Sequence, residues 1–398
     1  MNLLAITSAF PYLSSYRGQF IKEQLKYLGR NFERVDVVNP INYFPKFLLA
    51  SEHFSRFTGH KEYPLDYSFG NIRVFFPRAT PMIGNGFISL RLRCHFFQNA
   101  LERALKRTDS KYDLIHSHFI LPSAISGGRI KESMKIPLVV TAHGGDIYSS
   151  PFHNRSIFSR TNDALSICDA IITTSETNKR IMIETFSVPE KKISIIPNGY
   201  DPEIFKPTDI IKARSTLGLP IDSYISISIG SLIDVKGHGY LIRAAKRVID
   251  EGINGLFIII GAGSNKERLI NESKSLGISE KIRIIDGVPH DRLCDWINAA
   301  DLFVLPSLSE GSPTVVAEAL GCGKPVVATN VGNIPFIISG NSNGIIVDPG
   351  DENSLKEGIL YAIARKWNAF EISRNARERL SWPVISNRIQ GIYDSLMD

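Results

Sequence analysis

Short apolar runs dense in Val, Ile and Leu alternate along this chain with longer segments of mixed polarity, and few architectures accommodate that rhythm. Continuous apolar runs suit strands buried on both faces, and the amphipathic segments between them suit helices that cover those faces. The pattern therefore predicts an α/β fold of parallel sheets wound on both sides. Strand candidates fall at 3–8, 35–39, 114–118, 138–142, 170–174 and 193–197, and the series resumes at 224–230, 256–261, 282–286, 302–306, 325–329 and 344–347. Between the two series lies Pro197-Asn198-Gly199-Tyr200-Asp201-Pro202, followed by Lys206-Pro207, a cluster of turn formers that reads as a linker. The boundary is placed near residue 206, giving one domain over 1–205 and another over 206–382.

Length agrees with that division, since 398 residues exceed what one core usually serves. Cys94, Cys168, Cys294 and Cys322 are widely spaced and form no C-x-x-C pair, which fits neither a disulfide framework nor structural zinc and points to a reducing, cytoplasmic compartment. The opening MNLLAITSAFPYL has no basic residue before Arg17 and reads as a buried strand rather than a signal peptide. Apolar stretches such as 255–263 are too short to span a bilayer. Charge is uneven: residues 1–205 carry 25 Lys and Arg against 18 Asp and Glu, a net +7, whereas 206–398 carry 21 against 22. A basic first half suits anionic head groups or a polyanionic acceptor, or is simply a solvated surface. Nothing resembles a nucleic-acid recognition module, so no nucleic-acid partner is expected.

In open α/β sheets, ligands sit beyond the carboxyl ends of the strands, so the chemistry should follow the strands directly, and two such sheets placed face to face make one cleft. After the run ending at 230 comes Gly230-Ser231-Leu232-Ile233-Asp234-Val235-Lys236-Gly237, a glycine turn and a lysine ahead of a helix start. Free N–H groups at such a start favour an anion, and Lys236 is the best phosphate ligand in the chain. After the run ending at 306, Glu310 and Glu318 straddle a loop-to-helix junction in which Ser312 suits the cap and Pro313 the first helical position. One carboxylate can accept bonds from sugar hydroxyls and the other from a ribose. The competing reading of Glu318 is an ordinary helix-surface charge, against which stand its small apolar neighbours Ala317, Ala319 and Leu320.

The E-x7-E pattern at Glu310 and Glu318, with the following EALGCGKPVVATNVGNIP, resembles the signature of family-4 glycosyltransferases of the GT-B fold. Gly230 to Gly237 is similar to the family's G-x-L-x-x-x-K-G element, Asn198 to Asp201 to its N-G-x-D, and Thr141 to Asp146 to its T-x-H-G-x-D. The resemblance spans nearly the whole chain. It implies two Rossmann-like domains facing a cleft and a last helix, 383–398, that packs back on the first domain. It also implies a retaining, hexosyltransferase-type reaction without a metal or other cofactor, moving a sugar from a nucleotide-diphosphate sugar to a glycan or lipid-linked acceptor in polysaccharide assembly.

By that resemblance Lys236 binds the diphosphate, Glu310 the donor sugar and Glu318 the ribose. Gly311, Ser312, Pro313, Thr314 and Val315 supply further donor contacts, and Val288 lies beside the base. His143 sits near the reacting sugar from the other domain. Gly18 stands where relatives bring backbone close to donor or acceptor, although a plain turn glycine is the competing reading. Arg17, His118 and Asp146 are assigned to the acceptor side. Ser231 departs from the pattern, since many relatives carry Arg there, which leaves Lys236 more of the diphosphate charge; Phe336 replaces a frequent Glu.

The segments 43–57 and 75–107 mix aromatic and basic residues, as a surface touching lipid head groups would, or as a core-facing helix with a basic outer face. The paired His116 and His118 lack a third ligand, and no D-x-D occurs, so no metal site is expected. Two other functions remain in view: a nucleotide-sugar epimerase of the same fold, which would turn over donor without acceptor, and a non-catalytic sugar-binding assembly subunit. A nicotinamide enzyme lacks its G-x-G-x-x-G.

Overall fold

The computed structural model describes residues 1–12, 17–43, 65–80, 87–108, 110–338 and 340–397. They form two compact units, Met1–Ile196 with Ser386–Asp398, and Pro197–Ile385. Every apolar run read as a strand is one, with ends that differ by no more than a few residues. The central runs, such as Leu114–His118, Leu138–Ala142, Gly255–Ile260 and Leu302–Leu305, are buried on both faces, as strands covered by helices on either side must be.

In the first unit the strands lie side by side in the order Ile193–Ile195, Ala170–Thr173, Leu138–Ala142, Leu114–His118, Asn2–Thr7, Arg34–Val38, Ile72–Phe75 and Tyr67–Phe69. All neighbours are parallel except the last pair. The order reverses between Asn2–Thr7 and Leu114–His118. The sequence reading missed the antiparallel pair Tyr67–Phe69 and Ile72–Phe75, although Gly70-Asn71 between two aromatic and β-branched runs is a hairpin signal. Arg73 on that hairpin forks onto the fully buried Asp36, with Nε and Nη2 each 2.7 Å from a carboxylate oxygen, and Tyr112 Oη donates to the same group at 2.7 Å.

Helix Phe87–Leu105 covers part of the aromatic and basic stretch 75–107. Its residues Leu90, Cys94, Phe97, Leu101 and Ala104 are buried while Arg91, His95 and Arg103 are exposed, so its apolar face is spent on the core and the basic face is outside. The companion stretch 44–57 lies outside the described residues.

The second unit holds a six-stranded, wholly parallel sheet in the order Ile282–Ile285, Gly255–Ile260, Tyr224–Ile229, Leu302–Leu305, Val326–Thr329 and Gly344–Val347. In sequence order this is 3-2-1-4-5-6, the Rossmann arrangement, with its switch point between Tyr224–Ile229 and Leu302–Leu305. The chain passes from one unit to the other at 196/197, ahead of the position near 206 read from the turn formers. Residues 197–205 stay with the second unit because Tyr200 and Phe205 pack into its core, and Tyr200 bonds through its backbone to Leu380 and Trp382. The final helix, Trp382–Met397, starts in the second unit, and from Ser386 onward it belongs to the first. There Tyr393 is fully buried and contacts His116, 277 positions away, at 2.5 Å between Oη and Nδ1.

Candidate active site

The two loops that leave the switch point of the second sheet are fastened together. Gly237 has φ +69°, and a Cβ there would lie 1.9 Å from the carbonyl oxygen of Pro306, so only glycine lets the first loop close on the second. Leu308 N donates to Val235 O at 2.8 Å across the same seam. Gly237→Ala should cost the second unit roughly 1–2 kcal/mol for the left-handed backbone alone, with the clash adding to it. Urea unfolding should show a lower midpoint for this variant, and an unchanged midpoint would contradict the packing described.

That closure brings Lys236 Nζ to 2.6 Å from Glu310 Oε1. Ser307 Oγ donates to the same oxygen at 2.7 Å, and Thr329 Oγ1 donates to the Ser307 carbonyl at 2.5 Å. The Glu310 side chain is 8% exposed and that of Lys236 25%, so the pair is mostly shielded yet keeps one open side. Ser231, first in the loop, is exposed.

Helix Thr314–Gly321 follows Glu310, and here the cap differs from expectation. Pro313 occupies the cap position and no side chain caps the helix. Ser312 is held elsewhere: its Oγ accepts from Asn198 N at 2.9 Å and Asn333 Nδ2 at 2.8 Å, while Asn198 Nδ2 donates to its carbonyl at 3.0 Å. The loop Glu310 to Pro313 is therefore rigid, and the helix amides keep no side-chain partner at their start.

Glu318 is no surface charge. It is 2% exposed, its Oε1 lies 2.9 Å from His290 Nε2, and its Oε2 is buried with no partner. An unsatisfied buried oxygen of this kind costs on the order of 1–3 kcal/mol, which calls for an explanation in a ligand. His290, whose ring packs on Phe205 at 5.3 Å, was not singled out from sequence. Its position in the loop after Ile282–Ile285 is the signal that would have found it. Val288, in the same loop, is half-buried against the core of this unit.

The first unit carries its own cluster at the carboxyl ends of Leu114–His118 and Leu138–Ala142. His118 Nδ1 and His143 Nε2 are 3.2 Å apart, with the rings nearly parallel, and His116 stacks under His118 at 4.3 Å. His116 is itself fixed by Thr141 Oγ1 at 2.7 Å and by Tyr393. Burial lowers the pKa of His143 to about 3 and that of His118 well below its usual value, so both rings are neutral. Neutral rings sharing one hydrogen bond leave one N–H and one lone pair, and the two outer atoms, His143 Nδ1 and His118 Nε2, are buried without partners. Asp146 accepts from Gly144 N at 2.9 Å, Ile120 N at 3.2 Å and His143 N at 3.4 Å; burial outweighs those bonds and raises its pKa to about 6.

Gly18, with φ +81°, precedes helix Gln19–Leu28, and a Cβ there would lie 2.3 Å from the Ala9 carbonyl oxygen. The left-handed backbone and this close approach both require glycine at the turn. Arg17 beside it is exposed and borders a cavity of the first unit. Among the described residues no group of three or more His, Cys, Asp or Glu is placed to hold a metal ion, and no helix is long and apolar enough to cross a membrane.

Solved structures share this fold over the whole chain. Sucrose-phosphate synthase from Thermosynechococcus elongatus superposes with a TM-score of 0.79 at 19% identity, covering 100% of this chain and 99% of its own. Anabaena HepE, solved with UDP and with UDP-glucose, gives 0.75 and 0.73 at 20% and 21% identity, with both chains covered in full. The architecture is thus GT-B. In sequence, residues 53–204 match the model for glycosyltransferase family 4 and residues 209–379 that for glycosyl transferases group 1. The putative teichuronic acid biosynthesis glycosyltransferase TuaC of Bacillus subtilis is 28% identical over 365 residues, 90% of this chain and 88% of its own. The chain belongs to the family-4, group 1 glycosyltransferases.

Proposed function

We propose that the protein is a retaining, metal-independent hexosyltransferase that takes its sugar from a nucleotide-diphosphate donor and delivers it to a glycan or lipid-linked acceptor. The observation that carries this reading is the contact between Lys236 and Glu310 in the loop ahead of an uncapped helix, at the switch point of a Rossmann-ordered sheet. Lys236 and the amides of Thr314 and Val315 hold the diphosphate, and Gly311 to Pro313 keep the loop backbone against the donor. Glu310 accepts from the sugar hydroxyls. Glu318, oriented by His290, offers its unpartnered oxygen to the ribose, and Val288 flanks the base. That HepE was solved with UDP and UDP-glucose supports a nucleotide-sugar donor.

Breaking the glycosidic bond to the leaving diphosphate puts positive charge on the sugar ring and extra negative charge on the phosphate. Fixed charges stabilise both without reorganising: Lys236 and the helix amides face the leaving group, and Glu310 faces the sugar. His143 contributes a neutral hydrogen-bonding nitrogen, a weaker but directional partner for a sugar hydroxyl or phosphate oxygen. No protein nucleophile is required.

Thermal unfolding with UDP, GDP, ADP and their sugars tests the donor. A nucleotide at 100 times its Kd stabilises by about 2.7 kcal/mol, a shift of roughly 5–10 °C for a domain of this size. One base should give such a shift, and a flat panel would overturn the donor reading. Epimerisation of the sugar in the absence of any acceptor would identify the enzyme as an epimerase instead.

A further inference from the structure

Phe119 follows the strand Leu114–His118 directly, with φ 69° and ψ 148°. That conformation is almost confined to glycine, because a Cβ crowds the neighbouring peptide groups. Two backbone bonds fix it: Phe119 N donates to Thr141 O at 2.9 Å, and Phe119 O accepts from Ala124 N at 3.2 Å. A glycine would make both bonds without strain. What the strained residue adds over glycine is its ring.

The ring lies against the His143 imidazole, with centroids 4.7 Å apart and planes at 53°. Phe20, on helix Gln19–Leu28, packs against the same imidazole at 4.8 Å and 60°, and His118 stacks on it at 5.4 Å and 16°. Three rings from two separate segments of the chain therefore confine one imidazole. The hydrogen bond from His118 at 3.2 Å does not by itself set the tilt of that ring, whereas aromatic contacts have preferred geometries and do. Its Nδ1 is left without a protein partner.

We infer that Phe119 is a positioning residue for the transfer: its ring, with that of Phe20, holds the His143 imidazole in one orientation, so that the nitrogen offered to the substrate is in place before the substrate arrives. The inference rests on the transferase reading above, in which His143 bonds a sugar hydroxyl or a phosphate oxygen. Placement in advance matters because a misplacement of about 1 Å costs on the order of a hundred-fold in rate.

The test uses the full chain. Phe119→Gly and Phe119→Ala both delete the ring, and only glycine suits the backbone, so Phe119→Gly should melt above Phe119→Ala. Both should nevertheless lower kcat by at least about ten-fold and leave KM for the donor within about three-fold of wild type. Phe119→Tyr, which keeps the ring, should retain at least about a third of kcat. In a His143→Ala background, Phe119→Gly should cost little more, since its effect runs through the imidazole. The His143 Cε1–Hε1 resonance, assigned by its absence in His143→Ala, should move in Phe119→Gly and hold its place in Phe119→Tyr. Phe20→Leu, on the other aromatic neighbour, should lower kcat in the same direction and serves if the Phe119 variants do not fold.

A wild-type kcat in Phe119→Gly would overturn the inference, as would additive losses in the double variant or an unmoved His143 resonance. His143→Ala separates the two claims. If it is inactive while Phe119→Gly is unimpaired, only the positioning role falls, and if it transfers sugar as the wild type does, the part given to His143 in the proposed reaction falls as well.

Discussion

Glu310→Gln is expected to lower kcat/KM by about two orders of magnitude, the usual scale for losing one preorganised charged contact, and to leave the fold intact. Glutamine has the shape of the residue it replaces, and its carbonyl oxygen can still accept from Ser307 Oγ. What disappears is the negative charge beside the sugar ring, which matters most when that ring carries positive charge in the transition state. The loss should therefore fall mainly on kcat, with KM for the donor little altered. Nucleotide binding should persist or strengthen, because the group 2.6 Å from Lys236 Nζ loses its negative charge and more of the lysine's charge turns to the diphosphate. Steady-state transfer assays with the nucleotide sugar chosen by thermal shift give both parameters. Activity within three-fold of wild type would remove Glu310 from the donor site.

How far the sequence anticipates this site depends on how local each feature is. The parallel strands are legible because burial on both faces demands unbroken apolar runs, and the loop Gly230 to Gly237 is legible because a glycine, a lysine and a helix start follow one another directly. Contacts made across the fold are not. His290 meets Glu318 over 28 positions, and Ser312 is held by Asn198 and Asn333, over 114 and 21 positions. The capping tendency of Ser312 was a sound local argument that lost to these two asparagines. The domain boundary was displaced for a similar reason: turn formers mark where a chain can leave a domain, but the burial of Tyr200 and Phe205 decides where it does. In the first unit the pairing of His116 with His118 follows from strand alternation, whereas their junction with His143 and with Tyr393 on the last helix required the folded chain.

Lys236→Ala should weaken binding of the nucleotide diphosphate by about ten- to a hundred-fold, corresponding to one hydrogen bond to a charged group. The effect has two sources that a single variant cannot separate. One is the missing attraction between ammonium and phosphate. The other is Glu310, whose side chain is 8% exposed and would keep the Ser307 hydroxyl but lose its cation, a shielded negative charge facing an incoming anion. A double-mutant cycle divides them: if repulsion contributes, Lys236→Ala combined with Glu310→Gln should bind nucleotide better than Lys236→Ala alone, by roughly 0.5–3 kcal/mol, the range for residues in direct contact. On the proposed donor site, Ser231 supplies no second cation at the start of this loop and leaves the diphosphate charge to the lysine. Ser231→Arg should accordingly recover part of the affinity lost in Lys236→Ala. Isothermal titration with the nucleotide measures each variant. Unchanged affinity in Lys236→Ala would show that the diphosphate is held elsewhere, and strict additivity in the cycle would show that Glu310 and Lys236 act on the donor independently despite their contact.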